Sequence, residues 1–262
     1  MERFLVAAAL MSLMLPPAWG AVKGEPVEYK AGDTVFKGYL AYDDAASAKR
    51  PGVLVVHEWW GHNEHARAAA RKLAAAGYVA LAVDMYGNGK TADHPKDAGA
   101  FAGEVMKNMP LMKERFQAAR TFLTGQARVD AGRIAAIGYC FGGSVVLNMA
   151  RQGEDLRGVA VFHGNLATQQ PAQKGNFKPK VLVLTGADDP MVDSNQVAAF
   201  EKEMKDAGVS ARVVRYPGTK HGFTNPDATA MGQKFNIPLA YNAEADKKSW
   251  GEATAFLKRV LK

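Results

Sequence analysis

Residues 134–143 read Ile134-Ala135-Ala136-Ile137-Gly138-Tyr139-Cys140-Phe141-Gly142-Gly143. Four apolar residues run into a glycine, a cysteine follows two positions later, and two more glycines open a helical pattern that reaches Arg151. An unbroken apolar run of this length suits a central strand covered on both faces. The cysteine lies in a G-x-C-x-G frame at a strand-to-helix junction, a nucleophile elbow with cysteine in the place of serine. The turn is so tight that side chains at 138 and 142 would meet neighbouring elements, hence the glycines. It lifts the sulfur above the sheet edge and aims the Phe141 backbone N–H toward a developing oxyanion. The helix start favours the thiolate, the form that attacks.

The same strand-then-helix rhythm extends in both directions. Apolar runs at Val53–Val56, Val79–Val83, Val159–Phe162, Val181–Leu184 and Val213–Val214 alternate with helical patterns. These patterns cover Glu64–Ala76, Leu111–Leu123, Asn195–Ala207 and Ala243–Leu261, and two of them stop at Gly77 and Gly208, as helix C-termini do. Such repetition predicts an open, mostly parallel α/β sheet with right-handed crossovers and helices on both faces. Val27–Tyr29 and Val35–Ala41, around Ala31-Gly32-Asp33, read as an antiparallel edge pair. Thr224–Tyr241, with Pro226, Gly232 and Pro238, reads as a long irregular segment, either a lid or an ordered surface loop.

The 262 residues are 48% hydrophobic and 23% charged, which is ordinary globular composition. Residues 1–20, MERFLVAAALMSLMLPPAWG, join a positive start to a twelve-residue apolar run, a proline break and small residues at Ala18 and Gly20. That is the pattern of a secretory signal peptide, too short to span a bilayer. The reading is therefore a signal peptide at 1–20, a single domain at 21–262, and a periplasmic or secreted mature protein, with an uncleaved anchor as the other possibility. Losing the segment removes Glu2 and Arg3 together and leaves the formal charge at +7. Cys140 is the one cysteine, which excludes an internal disulfide and any multi-cysteine metal cluster. The positive charge is mild and spread out, so nucleic acid is not an expected partner.

A cysteine nucleophile needs a base, and the base an orienting acid. Beyond Cys140 lie only His163 and His221. Asp188 and Asp189 follow a strand in Gly186-Ala187-Asp188-Asp189-Pro190-Met191-Val192, and His221 follows the last strand-like run in Lys220-His221-Gly222-Phe223. Cys140, Asp189 and His221 thus occur in the order nucleophile, acid, histidine, each on a loop after a strand.

With these motifs the chain resembles the dienelactone hydrolase family of α/β-hydrolases over essentially its whole mature length. The likeness rests on the elbow, on Val55–Asn63 (VVHEWWGHN), on Val83–Gly87 (VDMYG), and on the Asp189 and His221 segments. It implies an α/β-hydrolase fold, Cys140 as nucleophile, His221 as base and then acid, and Asp189, at the family's spacing from Gly186, as the orienting carboxylate. It also implies that Glu58 holds the resting thiol by a hydrogen bond and swings away when substrate binds, and that the Trp59 backbone N–H joins that of Phe141 in the oxyanion hole. Well-known members bind a substrate carboxylate with arginines. Here Asn225 stands at one such place, and Lys90 and Lys96 lie near the other. Asn225 and Tyr139 are the candidate substrate contacts, and the dienelactone itself is not the expected substrate.

The expected function is hydrolysis of small carboxylic esters or lactones through an acyl-enzyme, by a monomer without metal or other cofactor. The alternative is a non-catalytic binding or thiol redox protein on a hydrolase scaffold. A serine-type reading fails because Ser144 lies four residues past the nucleophile position. His62 and His65 read as an exposed polar pair, His94 and His163 as loop residues or neighbours of the site, and Lys258, Arg259 and Lys262 as a solvated basic helix end.

Overall fold

The computed structural model describes residues 22–262; the signal-peptide reading of 1–20 falls outside them. The chain runs β1 (Val22–Ala31), β2 (Thr34–Asp43), β3 (Arg50–Val56), α1 (Glu64–Ala75), β4 (Val79–Val83), α2 (Pro95–Met106), α3 (Met109–Thr124), β5 (Val129–Tyr139), α4 (Phe141–Arg151), β6 (Gly158–Phe162), β7 (Lys180–Gly186), α5 (Ser194–Asp206), β8 (Ala211–Tyr216), α6 (Ala228–Phe235) and α7 (Ala243–Val260). The eight strands form one sheet in the order β1-β2-β4-β3-β5-β6-β7-β8. From β4 to β8 every pairing is parallel, and β1 and β2 form the antiparallel edge, with Tyr29 opposite Phe36.

Alternation along the central strands divides the core into two layers. In β3, Leu54 and Val56 point into the layer shared with Phe116 of α3, Val145 of α4 and Phe200 of α5. Val53 and Val55 point the other way, onto the alanine face of α1 and onto Phe256 and Leu257 of α7. Both faces are covered, which is why these strands read as continuous apolar runs rather than alternating ones.

Two helices escaped the periodicity. α2 carries two glycines and begins with Pro95 at N1, with His94 accepting from the Lys96 N–H at 3.1 Å as its cap. α6 lies inside the stretch read as irregular. Leu239 O comes so close that a Cβ on Gly232 would lie 2.3 Å from it, and the returning chain bridges to His221, whose carbonyl accepts from the Ala240 N–H at 3.1 Å. The segment is thus a helical excursion anchored to the histidine loop.

Candidate active site

The elbow forms as its glycines require. Cys140 has φ +51° and ψ −116°, a left-handed conformation costing a non-glycine residue about 1–3 kcal/mol. A Cβ on Gly138 would lie 2.0 Å from Gly142 O, and one on Gly142 would lie 2.3 Å from Val56 O. Close packing of β5, α4 and the end of β3 therefore holds the strained residue. Cys140 N–H is fixed by Phe162 O at 2.9 Å, and Gly142 N–H by His57 O at 3.1 Å. Phe141 is the first residue of α4, so its N–H is free of intrahelical bonding.

His221 and Asp189 meet from the ends of β8 and β7. His221 Nδ1 donates to Asp189 Oδ2 at 2.8 Å, and Asp189 Oδ1 accepts from the Met191 N–H at 2.8 Å. Both side chains are almost fully buried. His221 Nε2 has no hydrogen-bond partner of full geometry within the described residues. Burial opposes the imidazolium, but the charge Cys140 can carry, and Asp189 after it, outweigh burial and raise the His221 pKa to about 10. Asp188 is exposed, and its backbone N–H bonds Thr219 O at 3.1 Å.

Glu58 is buried beside this group, and its surroundings differ from the resemblance. Its Oε2 accepts from Asn225 Nδ2 at 2.5 Å and lies 3.7 Å from His65 Nδ1; no hydrogen bond joins it to Cys140. The orientation of the Asn225 amide is fixed, because its Oδ1 accepts from the Asp227 N–H at 3.0 Å. Asn225 thus spends its donor on Glu58. Tyr139 stacks on Phe162 with centroids 4.6 Å apart and lies in the layer under α1 and α7, lining a cavity of about 200 Å³ with His65 and Trp250. Lys90 lies over the Phe101 ring at 5.8 Å.

The histidine pair needs correction. His62 is buried, at 3% exposure, and burial first, then the neighbouring His57, lowers its pKa to about 4. His65 Nε2 donates to Thr224 O at 3.1 Å. His62 thus lies against His57 and His65 against the chain after His221, rather than in solvent.

Several supporting residues lie in or near the motifs quoted from the sequence, but their individual roles were not assigned there. His57 Nε2 accepts from the Met85 N–H at 3.2 Å, so its Nδ1–H donates to Glu58 O at 2.5 Å, fixing the neutral tautomer; burial lowers its pKa. The Asp84 carboxylate accepts four backbone N–H groups, from Lys37, Tyr86, Gly87 and Gly89, at 2.8–3.0 Å. That holds Tyr86, whose hydroxyl donates to Trp59 O at 2.9 Å and so fixes the peptide between Trp59 and Trp60. His163, fully buried with φ +40°, packs edge-on at 5.1 Å from the His221 ring, and its Nε2 bonds Thr224 Oγ1 at 2.9 Å. Burial, and His221 next, push its pKa well below the usual histidine range. The sequence signals were the VVHEWWGHN and VDMYG segments and the reading of His163 as a loop residue or neighbour of the site.

A mostly parallel eight-stranded sheet with a strained elbow after a central strand defines an α/β-hydrolase. More narrowly, the chain belongs to the dienelactone hydrolase family, whose sequence profile matches residues 36–261. It is 27% identical over 242 residues to Protein usf of Aquifex pyrophilus, covering 91% of this chain and 99% of that one. It is also 27% identical to an Aquifex aeolicus protein named "Putative carboxymethylenebutenolidase", covering 91% and 100%. Among solved structures, a dienelactone hydrolase-like promiscuous phosphotriesterase from metagenomic libraries superposes with a TM-score of 0.87 at 35% identity, covering 93% of this chain and all of the other. The protein is a dienelactone hydrolase-like hydrolase.

Proposed function

We propose that the protein hydrolyses small neutral carboxylic esters or lactones by a Cys140–His221–Asp189 mechanism. The observation that carries this reading is the hydrogen-bonded Asp189–His221 pair beside a left-handed Cys140 at a helix N-terminus. The Cys140 sulfur attacks the acyl carbon as His221 Nε2 takes the thiol proton, and the oxyanion is received by the Phe141 and Trp59 N–H groups. His221 Nε2 passes its proton to the departing alkoxide, leaving a thioester on Cys140. Water then attacks, His221 takes its proton, and the acid is released as the sulfur leaves. The neutral substrate class is supported by Asn225, which brings no charge and whose amide is engaged by Glu58. We also infer, from the pattern of residues 1–20, that the mature enzyme works outside the cytoplasm.

The test is a panel of p-nitrophenyl esters, small lactones and one phosphotriester, the last because a relative is a phosphotriesterase. Wild type should turn over the carboxylic substrates and gain one acyl mass on Cys140 at short times. Cys140→Ala should show neither. Equal turnover by both proteins would overturn the assigned nucleophile.

A further inference from the structure

Four cations meet at one place on the surface, although the formal charge of +7 reads as spread along the sequence. At the end of the sheet opposite Cys140, where β6 and β7 begin, a concavity of about 420 Å³ is walled by Arg157, Lys178, Lys180 and Arg259 over a floor formed by Leu156. All four cations are exposed. The one carboxylate on the rim, Asp155, is paired with Arg120 at 3.4 Å. Lys178, Lys180 and Arg259 form no ion pair among the described residues. Arg157 donates from Nε to Gly132 O at 2.9 Å, and the Arg259 guanidinium lies 6.0 Å from the Phe256 ring. The terminal nitrogens of both guanidiniums form no hydrogen bond among the described residues.

The fold does not require this arrangement. Arg259, in the last turn of α7, suits that helix's dipole. Arg157, Lys178 and Lys180 flank strand starts, which offer no comparable negative end. Gathering like charges from three separate stretches of chain around one hollow is unfavourable unless an anion offsets it. Guanidinium forks match phosphate oxygens in pairs, and lysines add point charge.

We propose that this concavity, at the end of the sheet opposite Cys140, binds a phosphate-bearing anion. The ligand chemistry is the phosphate group, whether free or on a lipid headgroup. The test uses the full mature chain, with inorganic pyrophosphate in calorimetry and vesicles of phosphatidylglycerol with phosphatidylcholine in sedimentation. Saturable binding to either probe, weakening as salt rises, is expected, and the responding probe identifies the source. Lys178→Glu with Lys180→Glu should weaken it at least about thirtyfold, taking roughly one Lys-equivalent per position. It should leave ester hydrolysis unchanged. Lys30→Glu with Lys247→Glu, two exposed lysines elsewhere, makes the same change in net charge and should have little effect. No saturable binding to either probe, or an equal loss in both double variants, would overturn the site.

Discussion

Replacing Asp189 by asparagine separates the charge of the carboxylate that meets His221 from its shape. Asp189 has two commitments, His221 Nδ1–H on Oδ2 and Met191 N–H on Oδ1, both at 2.8 Å. An asparagine can place its one oxygen on only one of these donors. Keeping Met191 satisfied turns the amide NH₂ against the imidazole N–H. With the side chain at 189 fully buried, no water can intervene cheaply. The least costly repair is to move the imidazole proton to Nε2, so that Nδ1 accepts from the amide. The ring then presents a proton where it should remove one, and the carboxylate that helped hold its charge is gone. The same substitution in a serine protease lowers kcat about 10⁴-fold, a barrier increase of about 5.5 kcal/mol.

The expected outcome for Asp189→Asn is a loss of that order in kcat on a p-nitrophenyl ester, with circular dichroism unchanged. Asp188→Asn, an exposed neighbour, should stay within about twofold of wild type. If Asp189→Asn keeps more than a tenth of wild-type kcat, or Asp188→Asn loses as much, the assignment of the acid is wrong.

Glycine-to-alanine changes should have opposite signs at two positions: Gly142→Ala drives a methyl to 2.3 Å from Val56 O and should cost about 1–3 kcal/mol along with activity, whereas Gly251→Ala, exposed in α7 with open space around it, should stabilise by up to about 1 kcal/mol in urea melts. Arg151, buried and bonded through two nitrogens to Glu203, should cost about 3–5 kcal/mol as Arg151→Ala, because the Glu203 carboxylate is left unpaired; a loss under 1 kcal/mol would refute the pair's importance. Stability should also vary with pH in two opposed limbs. His62, with its pKa lowered to about 4, stays neutral in the fold while the unfolded chain takes up a proton, so its contribution is complete above pH ~6.5 and lost as pH falls toward 4. His221, raised to about 10, contributes fully below pH ~6.5 and loses that contribution as pH rises toward 10, so His221→Gln should flatten the alkaline limb of a Tm–pH curve and His62→Gln the acid limb.

What could be read from the sequence follows from how local each constraint is. The elbow was legible because its cause is local: a turn too tight for side chains at 138 and 142 writes two glycines into five residues. The parallel sheet was legible because burial on both faces removes alternation from the strands. α2 and α6 were hidden because Gly99, Gly103 and Gly232 break helical patterning, and at Gly232 the reason is tertiary: the chain returning past Leu239 occupies the place of a Cβ. The environment of Glu58 was hidden for a related reason. Nothing near residue 58 in sequence says that Asn225, 167 positions away, will donate to it, nor that Asp227 fixes which end of the amide does so. The loop carrying His221 therefore also sets the place of Glu58, through an amide four residues after that histidine. A change at Asn225 should thus alter both the specificity of the site and the position of its second carboxylate. Asn225→Asp, which sets one anion against another in a buried place, should impair turnover of even neutral esters, and if it leaves kcat/KM unchanged the coupling between the two loops has no catalytic consequence.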